Sequence, residues 1–171
     1  MIMEKLKDFW NKEKVLVTTI IVVIVLDKIT KHIVKNSFYL GESRKVIGNF
    51  FRFTYIENTG IAFGLFSDWV HPLKMIVLLL LSIVALYFII TIYIKSERKW
   101  FTQISFGLIL GGAFGNIFDR VAFGKVVDFL DFGIKSYRWP FFNIADSAIT
   151  IGVIIFTVTT IFLKQHQEVE E

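Results

Sequence analysis

The sequence contains no cysteine, and it contains only two prolines in 171 residues. The absence of cysteine excludes disulfides, thiol nucleophiles and cysteine-ligated metals, but it says little about the compartment. The two prolines, Pro72 and Pro140, each stand where a long apolar run begins. Because a proline at the first position of a helix loses no hydrogen bond there, both predict the start of a helix.

Charge is missing from three long stretches of the chain. Residues 75–94, 101–118 and 147–163 contain no Asp, Glu, Lys or Arg. Each stretch has about the length that a helix needs to cross the hydrocarbon core of a membrane. The hydrophobic fraction of 54% and the mean hydropathy of +0.61 are also too high for an ordinary soluble domain.

A fourth apolar block, 15–26, is shorter and continues through the polar residues of "DKITK" (27–31) to Val34. We interpret it as a span with a polar end. A cleaved signal peptide is the alternative, but no small-residue cleavage site follows the apolar core. We therefore expect an all-α membrane protein with one integral membrane domain over 1–171. Its four predicted spans lie at about 15–34, 73–94, 101–119 and 141–163.

Four spans would place both termini on one side of the membrane and the loops 35–71 and 120–140 on the other. Lys and Arg are denser on the terminal side, so the positive-inside rule favours cytoplasmic termini, though only weakly. In the first loop, "RKVIGNFFRFTYI" has Gly48-Asn49 between two β-rich arms. It predicts a small extracytoplasmic β-hairpin or sheet whose aromatic face rests on the membrane. The segment 58–66 is predicted to fold back as a loop or a short helix.

Small residues follow a helical period in the third span. Gly107, Gly111 and Gly115 recur every four residues and predict close contact with a neighbouring helix. Asn116 and Asp119 share another face of the same helix.

Polar residues collect at one end of the predicted bundle. With alternating spans, these residues all lie at the same side of the membrane: Asp27, Lys28, Lys31, Asn116, Asp119, Arg120, Asn143, Asp146 and Ser147. Asn58 and Asp128 lie in the loops of that side. A transporter needs polar groups near the midplane, and the middles of the second and third spans have no charge. The pattern therefore favours a site that acts at one membrane surface.

Carboxylates are the best candidates for chemistry at that surface. The sequence has no Ser–His pairing and no two histidines at metal-ligand spacing, so neither a metal site nor a cofactor is predicted. It has no basic patch that would indicate nucleic-acid binding. Two aspartates that share a proton can activate water for amide hydrolysis, because their repulsion raises one pKa. Spacing alone leaves open which of Asp119, Asp128, Asp131 and Asp146 form the pair.

Several of these residues also have a structural interpretation. Asp27 and Lys31 stand at i and i+4, as in an ion pair at a helix end. Asp119 and Arg120 could clasp two helices together, and Asp131 could cap a loop or a turn.

Asp146 could likewise be a helix cap, because the helix dipole favours an anion in the first turn. We place it up to two turns inside the predicted span 141–163, which is deeper than a cap requires. That depth favours a functional role.

Five blocks of the sequence together resemble one known family. They are "DKITK" (27–31), "NTGIAFG" (58–64), "GGAFGNIFDR" (111–120), "KVVDF" (125–129) and "FNIADSAI" (142–149). In this order among four spans, they resemble the bacterial lipoprotein signal peptidases, also called signal peptidase II. The resemblance covers roughly residues 15–163.

The resemblance implies an aspartic endopeptidase of the bacterial cytoplasmic (inner) membrane, with cytoplasmic termini and an active site near the extracytoplasmic face. Its substrate would be a diacylglyceryl-prolipoprotein held in membrane lipid and cut before the lipidated cysteine. No obligate protein partner is implied. The catalytic pair of the family corresponds here to Asp128 and Asp146.

The resemblance also implies a set of residues that line or brace the site: Asp27, Lys31, Asn58, Gly60, Asn116, Asp119, Arg120 and Asn143. Ile61 departs from the alanine that is common in the family, and we expect no loss of activity from it. The alternatives are a small polytopic transporter, which a flux assay would reveal, and a non-catalytic membrane scaffold. The scaffold predicts that Asp128→Asn and Asp146→Asn have no effect.

Overall fold

The structure, a computed structural model, describes residues 2–60 and 72–170. Ile61 and most of the segment 58–66 therefore lie outside the described residues. Within them the chain forms these elements: α1 (Ile2–Ser37), β1 (Ser43–Ile47), β2 (Phe51–Asn58), α2 (Pro72–Lys95), α3 (Trp100–Phe123), β3 (Val126–Ile134), β4 (Tyr137–Arg138) and α4 (Ile144–Glu170).

Three helices in the described part of the chain are long and apolar enough to cross a membrane. They cover Met75–Lys95, Trp100–Phe123 and Ile144–Ile161. Helix α1 has 36 residues, which at 1.5 Å per residue gives about 54 Å, well beyond a hydrocarbon core of about 30 Å. Its apolar stretch runs into Asp27, Lys28 and Lys31, so the predicted count of four spans stays a prediction.

Helix α3 lies at the centre of the bundle and packs on both α1 and α4. Its glycines meet α1 one turn after another: Gly107 at Thr19, Gly111 at Val23 and Gly115 at Asp27. A Cβ atom at these glycines would lie 2.6 Å, 2.8 Å and 3.0 Å from the nearest atoms of α1. The predicted packing role of this glycine row is confirmed, because only the missing side chains allow the helices to approach so closely.

Helix α2 packs on the bundle through a narrow apolar contact. Tyr93, buried among Leu16, Phe106 and Leu110, holds its C-terminal end. Most of its other large side chains are exposed, including Leu80 and Phe88. Such a wide apolar surface suits contact with lipid.

The predicted hairpin is confirmed. Strands β1 and β2 pair antiparallel, with Ser43 opposite Thr54. Gly48 opens the turn with a φ of +49°, a left-handed conformation that glycine adopts without strain.

Two further strands, which the sequence reading did not predict, extend this hairpin into a sheet. Strand β3 pairs with β2, and β4 pairs with β3, which gives the order β1-β2-β3-β4. Asp131 lies inside β3, so its predicted role as a loop cap or turn residue is wrong. It is buried, forms an ion pair with Arg138 and accepts a hydrogen bond from the Thr54 hydroxyl (3.0 Å).

Candidate active site

Asp128 is presented by β3 beside the end of β2. A register shift between Phe53 and Ile56 brings Ile56 opposite Asp128 and Asn58 opposite Val126. The Asn58 amide Nδ2 then donates a hydrogen bond to Asp128 Oδ2 at 2.8 Å. Asp128 is 3% exposed, so its carboxylate depends on such donors in place of water.

Asp146 lies in the first turn of α4, because that helix begins at Ile144 and not at 141. Its backbone N–H donates to Asn143 Oδ1 (3.0 Å), and its Oδ2 accepts from the Asn143 backbone N–H (3.2 Å). This reciprocal pair has the geometry of a capping box. Asp146 therefore lies no deeper than a cap requires, contrary to the prediction from the sequence. The residue does cap its helix, and any functional role depends on its other contacts.

Asn143 joins the two aspartates. Its side-chain Nδ2 donates to Asp128 Oδ1 at 2.8 Å, while its backbone N–H donates to Asp146. The second oxygen of Asp146 accepts from Asn116 Nδ2 at 2.8 Å. Each carboxylate is thus held by two donors. Asp128 and Asp146 both line a cavity of about 530 Å³.

The pKa of Asp128 is raised to about 6, mainly by burial and to a smaller extent by the charge of Asp146. The hydrogen bonds from Asn58 and Asn143 act in the opposite direction, because they stabilise the carboxylate. Asp128 therefore exchanges its proton much closer to neutral pH than an exposed aspartate does. A carboxyl group of this kind can serve as acid or base in catalysis.

A second cluster of polar side chains, Asp27, Lys31 and Asp119, forms a clasp between α1 and α3 beside these aspartates. The buried Lys31 ammonium contacts Asp27 Oδ2 (2.8 Å), Asp119 Oδ2 (2.7 Å) and Asn116 Oδ1 (3.0 Å). The predicted ion pair of Asp27 with Lys31 is confirmed. Lys28 bonds the other oxygen of Asp119, a contact that the sequence reading did not assign.

The clasp reaches the aspartates through two bonds. Asn116 accepts from Lys31 and donates to Asp146, so it connects the clasp with one carboxylate. Asp27 Oδ1 accepts the backbone N–H of Ala145 at 3.2 Å, which ties α1 to the start of α4. The clasp therefore orients the residues that hold Asp146.

Arg120 holds the chain at residue 60 against the cavity. Its guanidinium donates to the carbonyl oxygens of Gly60 (3.1 Å) and Asn116 (3.3 Å). Gly60 in turn donates its backbone N–H to Asn58 Oδ1 at 2.8 Å. Asp119 pairs with lysines of α1, whereas Arg120 bonds Gly60. The predicted clasp of Asp119 with Arg120 is therefore two separate contacts.

Aromatic residues that the sequence reading did not single out form one wall of the cavity. The "WPFF" run, residues 139–142, lines it together with Asn58 and Arg120. A second cavity of about 330 Å³ lies between α2, α3 and α4 and shares Asn116, Arg120, Asp146 and Ile149 with the first. Both cavities are mostly apolar; Asp128 and Asp146 line the first, and Asp146 also borders the second, between the helices.

Comparison with known proteins gives a consistent match. The family model described as signal peptidase (SPase) II matches residues 19–162. The chain is 45% identical over 151 residues to a lipoprotein signal peptidase of Desulforapulum autotrophicum, covering 87% of this chain and 91% of that one. It is 40% identical to a lipoprotein signal peptidase of Blochmanniella pennsylvanica, covering 81% and 83%.

Two solved structures, each described as a bacterial membrane enzyme determined by the in meso method, share the fold. One, at 2.3 Å resolution, has a TM-score of 0.73 and 35% identity over 85% of this chain and 87% of that one. The other, at 1.9 Å resolution, has a TM-score of 0.74 and 34% identity over 85% and 91%.

Proposed function

The chain belongs to the signal peptidase II family, and on that premise we propose that it cleaves its substrate by an aspartic mechanism. Its function is that of a lipoprotein signal peptidase: it removes the signal peptide of diacylglyceryl-modified prolipoproteins by cutting before the lipidated cysteine. The observation that carries the aspartic mechanism is the joining of Asp128 and Asp146 by Asn143 at one cavity.

In this mechanism Asp128 and Asp146 share one proton. The ionised member accepts a proton from a water molecule as the water oxygen attacks the carbonyl carbon before the lipidated cysteine. The protonated member donates its proton to the amide nitrogen as the C–N bond breaks. The products are the signal peptide with a new carboxylate and the lipoprotein with a free cysteine amine. The raised pKa of Asp128 supports this exchange.

The neighbouring residues hold the pair in position. Asn58, Asn116 and Asn143 supply the donors that orient the carboxylates. The clasp of Asp27, Lys31 and Asp119 braces this arrangement, while Arg120 and Gly60 border the cavity. Side chains held by packing and hydrogen bonds lose little mobility when substrate binds, which favours catalysis.

The protein would sit in the bacterial inner membrane as one domain with four spans. Both termini would be cytoplasmic, and the sheet would lie on the extracytoplasmic surface above the aspartates. The exposed apolar residues of α2 support lipid contact. The acyl chains of the substrate would then keep the scissile bond at the level of the cavity, with membrane lipid around it.

Isosteric replacement of either aspartate tests the proposal. Asp128→Asn and Asp146→Asn remove a proton-transfer group with little change in shape, so cleavage of a diacylated precursor should fall by about 10²- to 10⁴-fold. The measurement is the cleavage rate with purified protein, together with the thermal unfolding midpoint of each variant. A non-acylated precursor serves as the substrate control.

Asp131→Asn is the matched control, because Asp131 lies in the same strand and is equally buried but bonds Arg138. It should lower the unfolding temperature and still cleave below that temperature. A folded Asp146→Asn protein that cleaves at the wild-type rate would refute the catalytic pair.

A further inference from the structure

A cavity of about 460 Å³ lies apart from the aspartates, where the ends of α1 and α3 meet the start of β3. No residue that lines it also lines the cavity of Asp128 and Asp146. Its basic side chains are Lys28, Lys31, His32, Lys35 and Lys125, and Asp119 also lines it. The proposed mechanism assigns no role to Lys35, His32 or Lys125.

The lysines of this cavity exceed their carboxylate partners by one. Lys28 and Lys31 are committed to Asp119 and Asp27, as described above. Lys125 pairs with Glu57 at 2.7 Å, and this hydrogen bond holds the pKa of Glu57 below its ordinary value. Lys35 has no ion pair within the described residues; its ammonium lies 5.3 Å from the centre of the Phe123 ring. One positive charge is therefore left over.

The walls of the cavity are apolar and open. Ile29, Ile33 and Phe123 are 51%, 54% and 56% exposed, although they stand next to the lysines. Ile29 and Ile33 lie one turn apart on the same face of α1. Lys35 lies about 9 Å farther along the helix axis than Ile29, toward the polar end of the bundle. The site is thus cationic at one end and apolar at the other.

We propose that this cavity binds one anionic phospholipid. Its phosphate lies at Lys35 and His32, and an acyl chain runs along Ile33 and Ile29. A single phosphodiester charge matches the single surplus lysine. A lysine near a membrane surface attracts anionic lipid with an energy that corresponds to about fivefold in affinity. A free phosphate would leave the isoleucines uncovered, so the apolar walls favour a lipid over a soluble anion.

The test compares lipids in nanodiscs by the unfolding temperature of the full chain. Phosphatidylglycerol should raise this temperature relative to phosphatidylcholine, and Lys35→Gln should remove most of that difference. Native mass spectrometry should show about fivefold less retained phosphatidylglycerol in the variant. Lys45→Gln is the matched control, because Lys45 is exposed on β1 and does not line the cavity.

Three results would overturn the proposal. One is an equal effect of the two lipids on the wild type, and another is an unchanged lipid preference in Lys35→Gln. The third is full stabilisation by inorganic phosphate in phosphatidylcholine, which would indicate a soluble anion. The two residues proposed to hold the phosphate, Lys35 and His32, have no role in the proposed catalysis, so Asp128→Asn protein should keep the same lipid preference. A negative result for lipid binding would therefore not contradict the proposed catalytic pair of Asp128 and Asp146.

Discussion

At the scale of single residues, Asp128 shows a conflict between stability and chemistry. Its folded pKa of about 6 lies above the ordinary 3.8, so the folded chain binds this proton more tightly than the unfolded chain. The resulting stabilisation is complete below pH 3.8 and is lost as the pH rises through 6. At neutral pH the fold carries a buried carboxylate that costs stability, which is typical of a group kept for its reactivity.

Asn58 tunes this pKa and allows a prediction about the pH profile. Asn58→Leu removes the donor to Asp128 Oδ2, so the carboxylate is less stable and its pKa should rise. If the pair must hold one proton, kcat/KM should fall at high pH, where that proton is lost. This high-pH limb of the profile should move to higher pH by about one unit in the variant. The measurement is kcat/KM for a diacylated precursor over a pH series.

Glu57→Gln is the neighbouring control for this experiment. Glu57 accepts hydrogen bonds from Tyr55 and Lys125 and makes none to Asp128, so its replacement should leave the limb in place. A limb that stays fixed or moves to lower pH in Asn58→Leu would contradict the assignment of that limb to Asp128.

At the scale of elements, α3 organises the site because one of its faces packs closely on α1 and its polar end holds hydrogen-bonding side chains. One face has glycines that admit α1 at close range, and the polar end has Asn116 and Asp119, which bond Asp146 and the lysines of α1. The Asn143–Asp146 capping box sets the start of helix α4. Packing and capping therefore decide where the candidate catalytic groups lie.

A methyl group added to α3, combined with removal of the side chain that it meets on α1, tests this packing. A Cβ at residue 111 would lie 2.8 Å from the Cβ of Val23, so Gly111→Ala should lower the unfolding temperature, at a cost of about 1–3 kcal/mol. Val23→Gly removes the atom that it meets, so the double variant should be more stable than the sum of the two single effects predicts. Thermal unfolding of all four proteins in detergent gives the coupling. Strictly additive effects would show that the helices do not touch there.

At the scale of the whole molecule, the two loops form one sheet. Strands β1 and β2 come from the loop after α1, and β3 comes from the loop after α3. Because β2 and β3 carry Asn58 and Asp128, their pairing brings one carboxylate of the proposed catalytic pair next to its donor. The sheet thus positions Asp128, one member of the proposed catalytic pair, beside the helices.

The proposed topology can be tested by labelling single introduced cysteines, because the chain has no cysteine of its own that would react. In intact spheroplasts, a membrane-impermeant maleimide should label Tyr39→Cys, whose position is 85% exposed near the sheet, and should not label Lys12→Cys. Both variants should be labelled after permeabilisation. The reverse pattern would place the termini outside, and equal labelling of both variants in intact spheroplasts would also contradict the proposal.

Local patterns in the sequence were sufficient for much of the architecture. The apolar runs predicted the helices, "IGNF" predicted the hairpin turn, and the glycine row predicted the contact of α3 with a neighbour. Each of these depends on residues close together in the chain, where length, turn chemistry and helical period act directly. The proposal that Asp128 and Asp146 form a catalytic pair rests instead on the resemblance of whole sequence blocks to the family.

By itself, then, the sequence determined the apolar helices and the collection of polar residues at one end of the chain's bundle. Apart from the Asp27–Lys31 ion pair, which helical spacing predicted, only the tertiary structure decided how those polar residues pair. Strand β3 forms because β2 lies beside it, and Asn58 meets Asp128 across 70 positions of sequence. Asp146 turned out to be a cap as well as a partner of Asn116, and Asp131 became a buried strand residue. Such contacts depend on the packing of distant segments, which no local pattern encodes.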